Sequence, residues 1–223
     1  MKIAGLAWWK WLSLLLVLYA IVGGMLIPVP RLAILHETIR NLFYHVTMWF
    51  SMMGLMMAAL IFGIRYLRKG NLDDDLRADE CVRTGVVVGI LGLITGSIWA
   101  RNTWGAWWVN DAKLNGAAAT MLVYFAYLIL RGSMEDEHKR ARITAVYSIF
   151  AFSLMIVFIM ILPRMTDSLH PGNGGNPGFS SYDLDSRMRT IFYPAVLGWG
   201  LLMAWITEVR IRLKRLIREK EEL

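Results

Sequence analysis

Cysteine is nearly missing: Cys81 is the only one in 223 residues. That excludes an internal disulfide and a Cys-x-x-Cys redox pair. With no Cys-x-x-Cys-His motif, the chain is not itself a c-type cytochrome. Gly-x-x-x-x-Gly-Lys-Ser/Thr is also absent, so any ATP chemistry belongs to another subunit. There is no evident internal repeat, and the one biased tract is His170-Pro-Gly-Asn-Gly-Gly-Asn-Pro-Gly178. Charged residues are few, at 18%. Apolar residues are abundant instead: 57% are hydrophobic and the mean hydropathy is +0.46, too apolar for a soluble domain of this length.

The apolar residues fall into six evenly spaced runs, at about 11–27, 42–64, 84–100, 112–130, 143–162 and 188–207. Each is near the ~20 residues that a helix needs to cross the hydrocarbon layer, where backbone groups must bond internally. The fold class is therefore all-α, a single domain over residues 1–223 forming an integral membrane bundle of six transmembrane helices. The first run lacks a clean Ala-x-Ala site and reads as an uncleaved helix. Residues 31–40 alternate Leu32, Leu35 and Ile39 with charges, as an amphipathic segment on a membrane surface does. Residues 65–83 and 131–142 read as charged connectors, and 163–185 as a long loop rich in proline, glycine and asparagine.

The net charge of +7 reflects orientation in a lipid bilayer rather than nucleic-acid binding. Of the 24 Lys and Arg residues, 17 lie at the N-terminus, in the two charged connectors and in the tail. By the positive-inside rule both termini face the cytoplasm. The loops near residues 31–40, 101–113 and 163–189 then face outward.

The second of these outer loops holds Trp104-Gly105-Ala-Trp107-Trp108-Val-Asn-Asp111, flanked by Arg101 and Lys113. Its indoles suit an interfacial anchor, and equally a flat platform for a large planar ligand. His45 stands at the outer mouth of the second span, with Trp49 one turn deeper on the same face. Ionisable residues there tend to be functional, although a histidine bonded to a backbone carbonyl is the plainer reading. Met48 and Met52 read as packing residues. His170 opens a loop long enough to suggest function, with Asp167 as a candidate to orient its imidazole. His36 is a weaker outer candidate, and His138 reads as solvated. Two imidazoles on opposite faces of a porphyrin give a six-coordinate iron site, whose propionates need cations. Arg101 is the nearest such cation, followed by Arg40, Arg187 and Arg189. Asp111 reads both as a helix cap and as a residue near the ligand, and Asn115 as a further polar lining residue.

Trp-Gly-x-Trp-Trp-x-x-Asp between two helices resembles the tryptophan-rich signature of haem-handling membrane proteins of cytochrome c biogenesis. The chain most resembles the haem exporter protein C (CcmC) family. Asn41-Leu-Phe-Tyr-His45-Val is similar to the segment carrying that family's first outer histidine, and His170 lies where its second is expected. Asn110 stands where the family usually has tryptophan. Asp111-Ala-Lys-Leu resembles this family more than the CcsA-type synthases, which typically continue with Pro-Lys-Glu.

The resemblance implies non-covalent haem b at the outer face of the bacterial inner membrane, with His45 and His170 as axial ligands. Trp104, Gly105, Trp107, Trp108, Asp111, Arg101 and Trp49 are expected around the macrocycle. Implied partners are a periplasmic haem chaperone (CcmE-like), a small membrane subunit (CcmD-like) and ABC-type subunits (CcmA/CcmB-like). No enzymatic activity is expected of this chain, nor haem movement across the bilayer by the chain alone. The rival readings are a subunit of a CcsA-type cytochrome c synthase, an electron-transfer cytochrome b subunit, and an ABC-type permease without haem. The cytochrome b reading normally needs paired histidines in helix centres, and none occurs here.

Overall fold

The computed structural model describes residues 2–3, 5–30, 35–170 and 184–221. The whole of the glycine-rich tract after His170, together with Arg31 and Leu32, lies outside these residues. A two-residue antiparallel pairing of Lys2–Ile3 with Leu6–Ala7 leads into α1 (Trp8–Leu26). A 3-10 helix (His36–Phe43) precedes α2 (His45–Lys69), α3 (Leu72–Trp104) and α4 (Ala112–Gly132). Next come α5 (Glu137–Met155), a π-helical segment (Ile156–Ile161), the short α6 (Leu162–Met165) and α7 (Ser186–Glu221). Among the described residues six helical stretches are long and apolar enough to cross a membrane, as expected of an all-α bundle.

The helices overrun the predicted spans mainly at one end of the bundle. Residues 72–83, expected as part of a charged connector, are the first three turns of α3. Asn71 caps this helix by accepting from the Asp73 N–H, and Asp73, Asp74 and Asp75 sit in its first turn, where the helix dipole favours anions. The connector reading failed because these carboxylates find cations far away in sequence. Buried Asp75 pairs with Arg131 of α4 at 2.6 Å, and Asp79 with the same guanidinium at 3.1 Å. Glu80 pairs with Arg210 of α7 at 2.6 Å, and Asp74 with Arg65 of α2 at 3.1 Å. The basic tail continues α7 for the same reason: Arg215 meets Asp73 and Arg218 meets Glu137.

Arg131 is itself buried and also donates to Thr144 Oγ1 at 2.8 Å. Removing it strands the buried Asp75 carboxylate and leaves Asp79 with Arg83 alone. Arg131→Ala should destabilise the bundle by about 3–5 kcal/mol, as breaking a buried ion pair does. Arg77→Ala removes a half-exposed partner of Asp73 and should cost about 0.3–0.5 kcal/mol. Thermal unfolding of both variants in detergent, followed by circular dichroism, checks the contrast.

At the opposite end Leu35 and, from the 3-10 helix, Ile39, Leu42 and Phe43 are buried against Leu184, Met188, Ile191 and Phe192. The predicted amphipathic segment is thus docked on the bundle. Arg40 fixes it by donating to the carbonyls of Gly24 (2.8 Å) and Ile27 (2.6 Å), where the end of α1 leaves carbonyls unsatisfied.

Helices α2 and α3 pack through a stripe of glycines. A Cβ at Gly85 would lie 2.6 Å from Met56, and at Gly89 2.4 Å from Met121 and 2.9 Å from Met52. A Cβ at Gly92 would lie 3.0 Å from the Trp49 ring, and at Gly96 2.6 Å from His45 Cε1. Small residues let the backbones approach, as is common where apolar helices pack without a hydrophobic drive. Met48 and Met52 are buried packing residues. The same stripe, read toward the tryptophan-loop end, seats Trp49 and then His45.

Candidate functional site

Helix α3 ends where Gly105 adopts φ +79°, a conformation costly for any residue with a Cβ, and its N–H bonds to the Arg101 carbonyl. The turn that follows carries Trp107 and Trp108 and delivers Asp111 to the N-cap of α4. Asp111 is 4% exposed. Its Oδ1 accepts from the Lys113 N–H at 2.9 Å and faces His170 Nδ1 at 3.0 Å. Its Oδ2 accepts from Ser168 Oγ at 2.9 Å and from the Leu169 N–H at 2.8 Å. Burial alone would raise the Asp111 carboxyl. The bonds from His170, Leu169 and Lys113 outweigh it and hold the group well below the usual carboxylate range. One carboxylate therefore caps α4 and anchors the segment bearing His170. Asp111, rather than Asp167, orients the imidazole.

Indoles complete the seat of His170. The Trp104 ring meets it edge-on at 4.9 Å between centroids, and Trp99 lies 5.7 Å away. On α2, His45 Nδ1 lies 3.1 Å from Thr95 Oγ1, and Trp49 meets the imidazole edge-on at 6.3 Å.

His45 and His170 line one cavity, about 1270 Å³ when counted out to its open mouth. Its walls include Trp49, Phe50 and Met53 from α2, Leu93 and Trp99 from α3, Trp108 from the turn, and Leu114 from α4. Met160, Pro163 and Arg164 close another side. Pro163 lacks the N–H that would bond the Ile159 carbonyl, which accounts for the loosened π-helical turn just before it. Gly116 accommodates this turn, since a Cβ there would lie 2.2 Å from the Phe158 carbonyl oxygen.

The sequence-predicted site residues divide into two groups. His45, His170, Trp49 and Trp108 line the cavity. Asp111 and Trp104 stand behind His170, and Gly105 shapes the turn. Trp107, 60% exposed, and Trp108, 43% exposed, form an outward apolar surface. Asn115 accepts from Trp108 Nε1 at 3.3 Å and donates to Asn110 at 2.7 Å, which steadies that indole. Arg101 bonds the Gly105 carbonyl and lies outside the lining, as do Arg40, Arg187, Arg189 and His36. The cations in the lining are Lys113 and Arg164.

Sequence reasoning missed Trp99, Thr95 and Gly96. The spacing of Gly92 and Gly96 on α3, matched to Trp49 and His45 on α2, was a signal that could have found the last. Trp99 Nε1 is buried without a partner among the described residues, beside the cavity that its ring lines.

The donor set fits an iron porphyrin. Each imidazole has Nδ1 engaged by an oxygen, which leaves Nε2 for a metal, and aromatic and methionine side chains line the cavity they share. Lys113 and Arg164 supply positive charge for carboxylates.

The sequence profile of the Heme exporter protein C family matches residues 1–223. Heme exporter protein C of Escherichia coli (strain K12) is 28% identical over 61% of this chain and 54% of its own length. The Haemophilus influenzae protein of that name is 30% identical over 59% of this chain and 53% of its own. The Rhodobacter capsulatus protein is 23% identical over 87% and 82%, respectively. The first of these alignments thus spans about half of the relative. On the match over its whole length, together with six helices among the described residues long and apolar enough to cross a membrane, the chain belongs to the Heme exporter protein C family of multi-pass membrane proteins.

Proposed function

We propose that this protein handles haem for cytochrome c maturation. It holds haem b non-covalently between His45 and His170 at the periplasmic face of the inner membrane and offers it to a periplasmic haem chaperone. The observation that carries this reading is the single cavity shared by the two imidazoles, each steadied through Nδ1 by a neighbouring oxygen. The bound haem supplies iron for axial coordination and vinyl groups that a chaperone could engage. The chain supplies grip. His45 is seated between helices, whereas His170 sits on a segment tethered by one carboxylate. Trp49, Trp99 and Trp108 would shield the bound group from water, and Lys113 and Arg164 would supply positive charge for its carboxylates. No bond-making step falls to these residues, so the protein presents cargo and is not an enzyme. The names of its relatives support haem export, and the excess of Lys and Arg at the opposite end supports the periplasmic placing. Association with CcmA/CcmB-like and CcmD-like subunits belongs to the same proposal.

The purified protein should show haem absorbance that acid-acetone extraction removes completely. A colourless protein that takes up no added haem would favour the permease reading. Trp107 and Trp108 are too exposed to be core residues, so the double replacement by alanine should leave the bundle folded. It should slow loading of the chaperone by about tenfold or more, the loss expected for aromatic anchors of an interface. Loading assays with purified chaperone check this, and an unchanged rate would leave the two indoles as membrane anchors.

A further inference from the structure

We propose that Thr95 is a positioning residue that fixes the His45 ring proton on Nδ1 and so presents Nε2 as a lone pair for metal ligation. The inference rests on the reading of His45 as a ligand. Thr95 lies in the middle of an apolar stretch of α3, where a hydroxyl needs a partner. Its Oγ1 donates back to the Leu91 carbonyl at 2.8 Å, shared with the Gly92 carbonyl at 3.1 Å. A hydroxyl has one proton, and the helix carbonyls take it. Toward His45 Nδ1, 3.1 Å away, the oxygen then accepts, beside the Gly92 carbonyl that also meets the imidazole. The facing nitrogen must therefore carry its hydrogen, and in a neutral imidazole Nε2 is then unprotonated. Gly96, one residue on, locks the orientation: its Cα faces the Cε1 edge between the two nitrogens, and a Cβ would lie 2.6 Å from that carbon. The ring is thus packed closely against the α3 backbone.

The two histidines are thus prepared by the same device with different strength. A carboxylate accepts from His170 Nδ1 and a neutral hydroxyl from His45 Nδ1. The partner that orients a ligating imidazole also raises its basicity.

The test uses full-length protein with 15N-labelled histidine in nanodiscs, free of haem, with the His45 signals assigned by their loss in His45→Ala. The wild type should show one tautomer, Nε2 unprotonated. Thr95→Val, nearly isosteric, should give a mixture of tautomers and weaken haem affinity about 10–100-fold, the usual cost of losing such a partner. Thr95→Ser should restore both, and Thr95→Ala provides a second variant without the acceptor. Persistence of the single Nδ1–H tautomer in Thr95→Val and Thr95→Ala would overturn the proposal. Unaltered haem binding in His45→Ala would instead overturn the ligand reading, and leave the tautomer result standing.

Discussion

Asp111→Ala should abolish stable haem retention while leaving a folded, membrane-inserted protein. The carboxylate is the one group that meets the α4 cap, the 168–170 backbone and the His170 imidazole at once. Its removal leaves Ser168 Oγ, the Leu169 N–H and His170 Nδ1 without their acceptor, and the tether of His170 is lost. Losing the cap costs about 0.5–2 kcal/mol. Losing the acceptor that orients a ligating histidine weakens metal affinity about 10–100-fold, and here the displaced segment adds to the loss. Asp111→Asn is the sharper variant. Both carboxylate oxygens accept, so an amide in either orientation turns an NH2 group toward donors. Haem content per protein and the thermal midpoint separate the effects: content should collapse in both variants while the midpoint falls by only a few degrees.

The same carboxylate sets a pH window. Its folded-state value is depressed below the unfolded ~3.9 by the hydrogen bonds it accepts, so its stabilising contribution is complete above about pH 4 and fades as the pH falls further. The Asp111 tether should hold unchanged from pH 8 to 5. The thermal midpoints of haem-free wild type and Asp111→Asn check this, since the gap between them should persist down to about pH 4 and narrow below it.

The bundle was largely legible in the sequence because each span is an apolar run of membrane length. The site was legible where a motif concentrated it, in Trp104 to Asp111, or where an ionisable residue interrupted an apolar run, at His45. What escaped was set by long-range pairing. The carboxylates of residues 73–80 look like a solvated connector until Arg131 and Arg210 are brought to them across the bundle. Asp111 reads as a cap and as a residue near the ligand, but its bond to His170 escapes, because His170 lies 59 positions away in the chain. Asp167 was the nearer candidate only in sequence. Thr95 and Trp99 gave no pattern, being single residues within an apolar run whose roles come from the helix opposite.

His45 and His170 carry the central claim, and replacing either should have the largest effect of all. Each side chain is held from behind, one by Thr95 and the other by Asp111, and both face the same cavity. With two imidazoles the iron is six-coordinate, and loss of one leaves an open axial position. The decisive measurement is the visible absorption spectrum, with haem quantified, of purified wild type beside His45→Ala and His170→Ala. The account predicts a six-coordinate, low-spin spectrum in wild type, and in each variant either loss of haem or conversion to a five-coordinate spectrum. Wild-type haem content and an unshifted spectrum in both variants would contradict it.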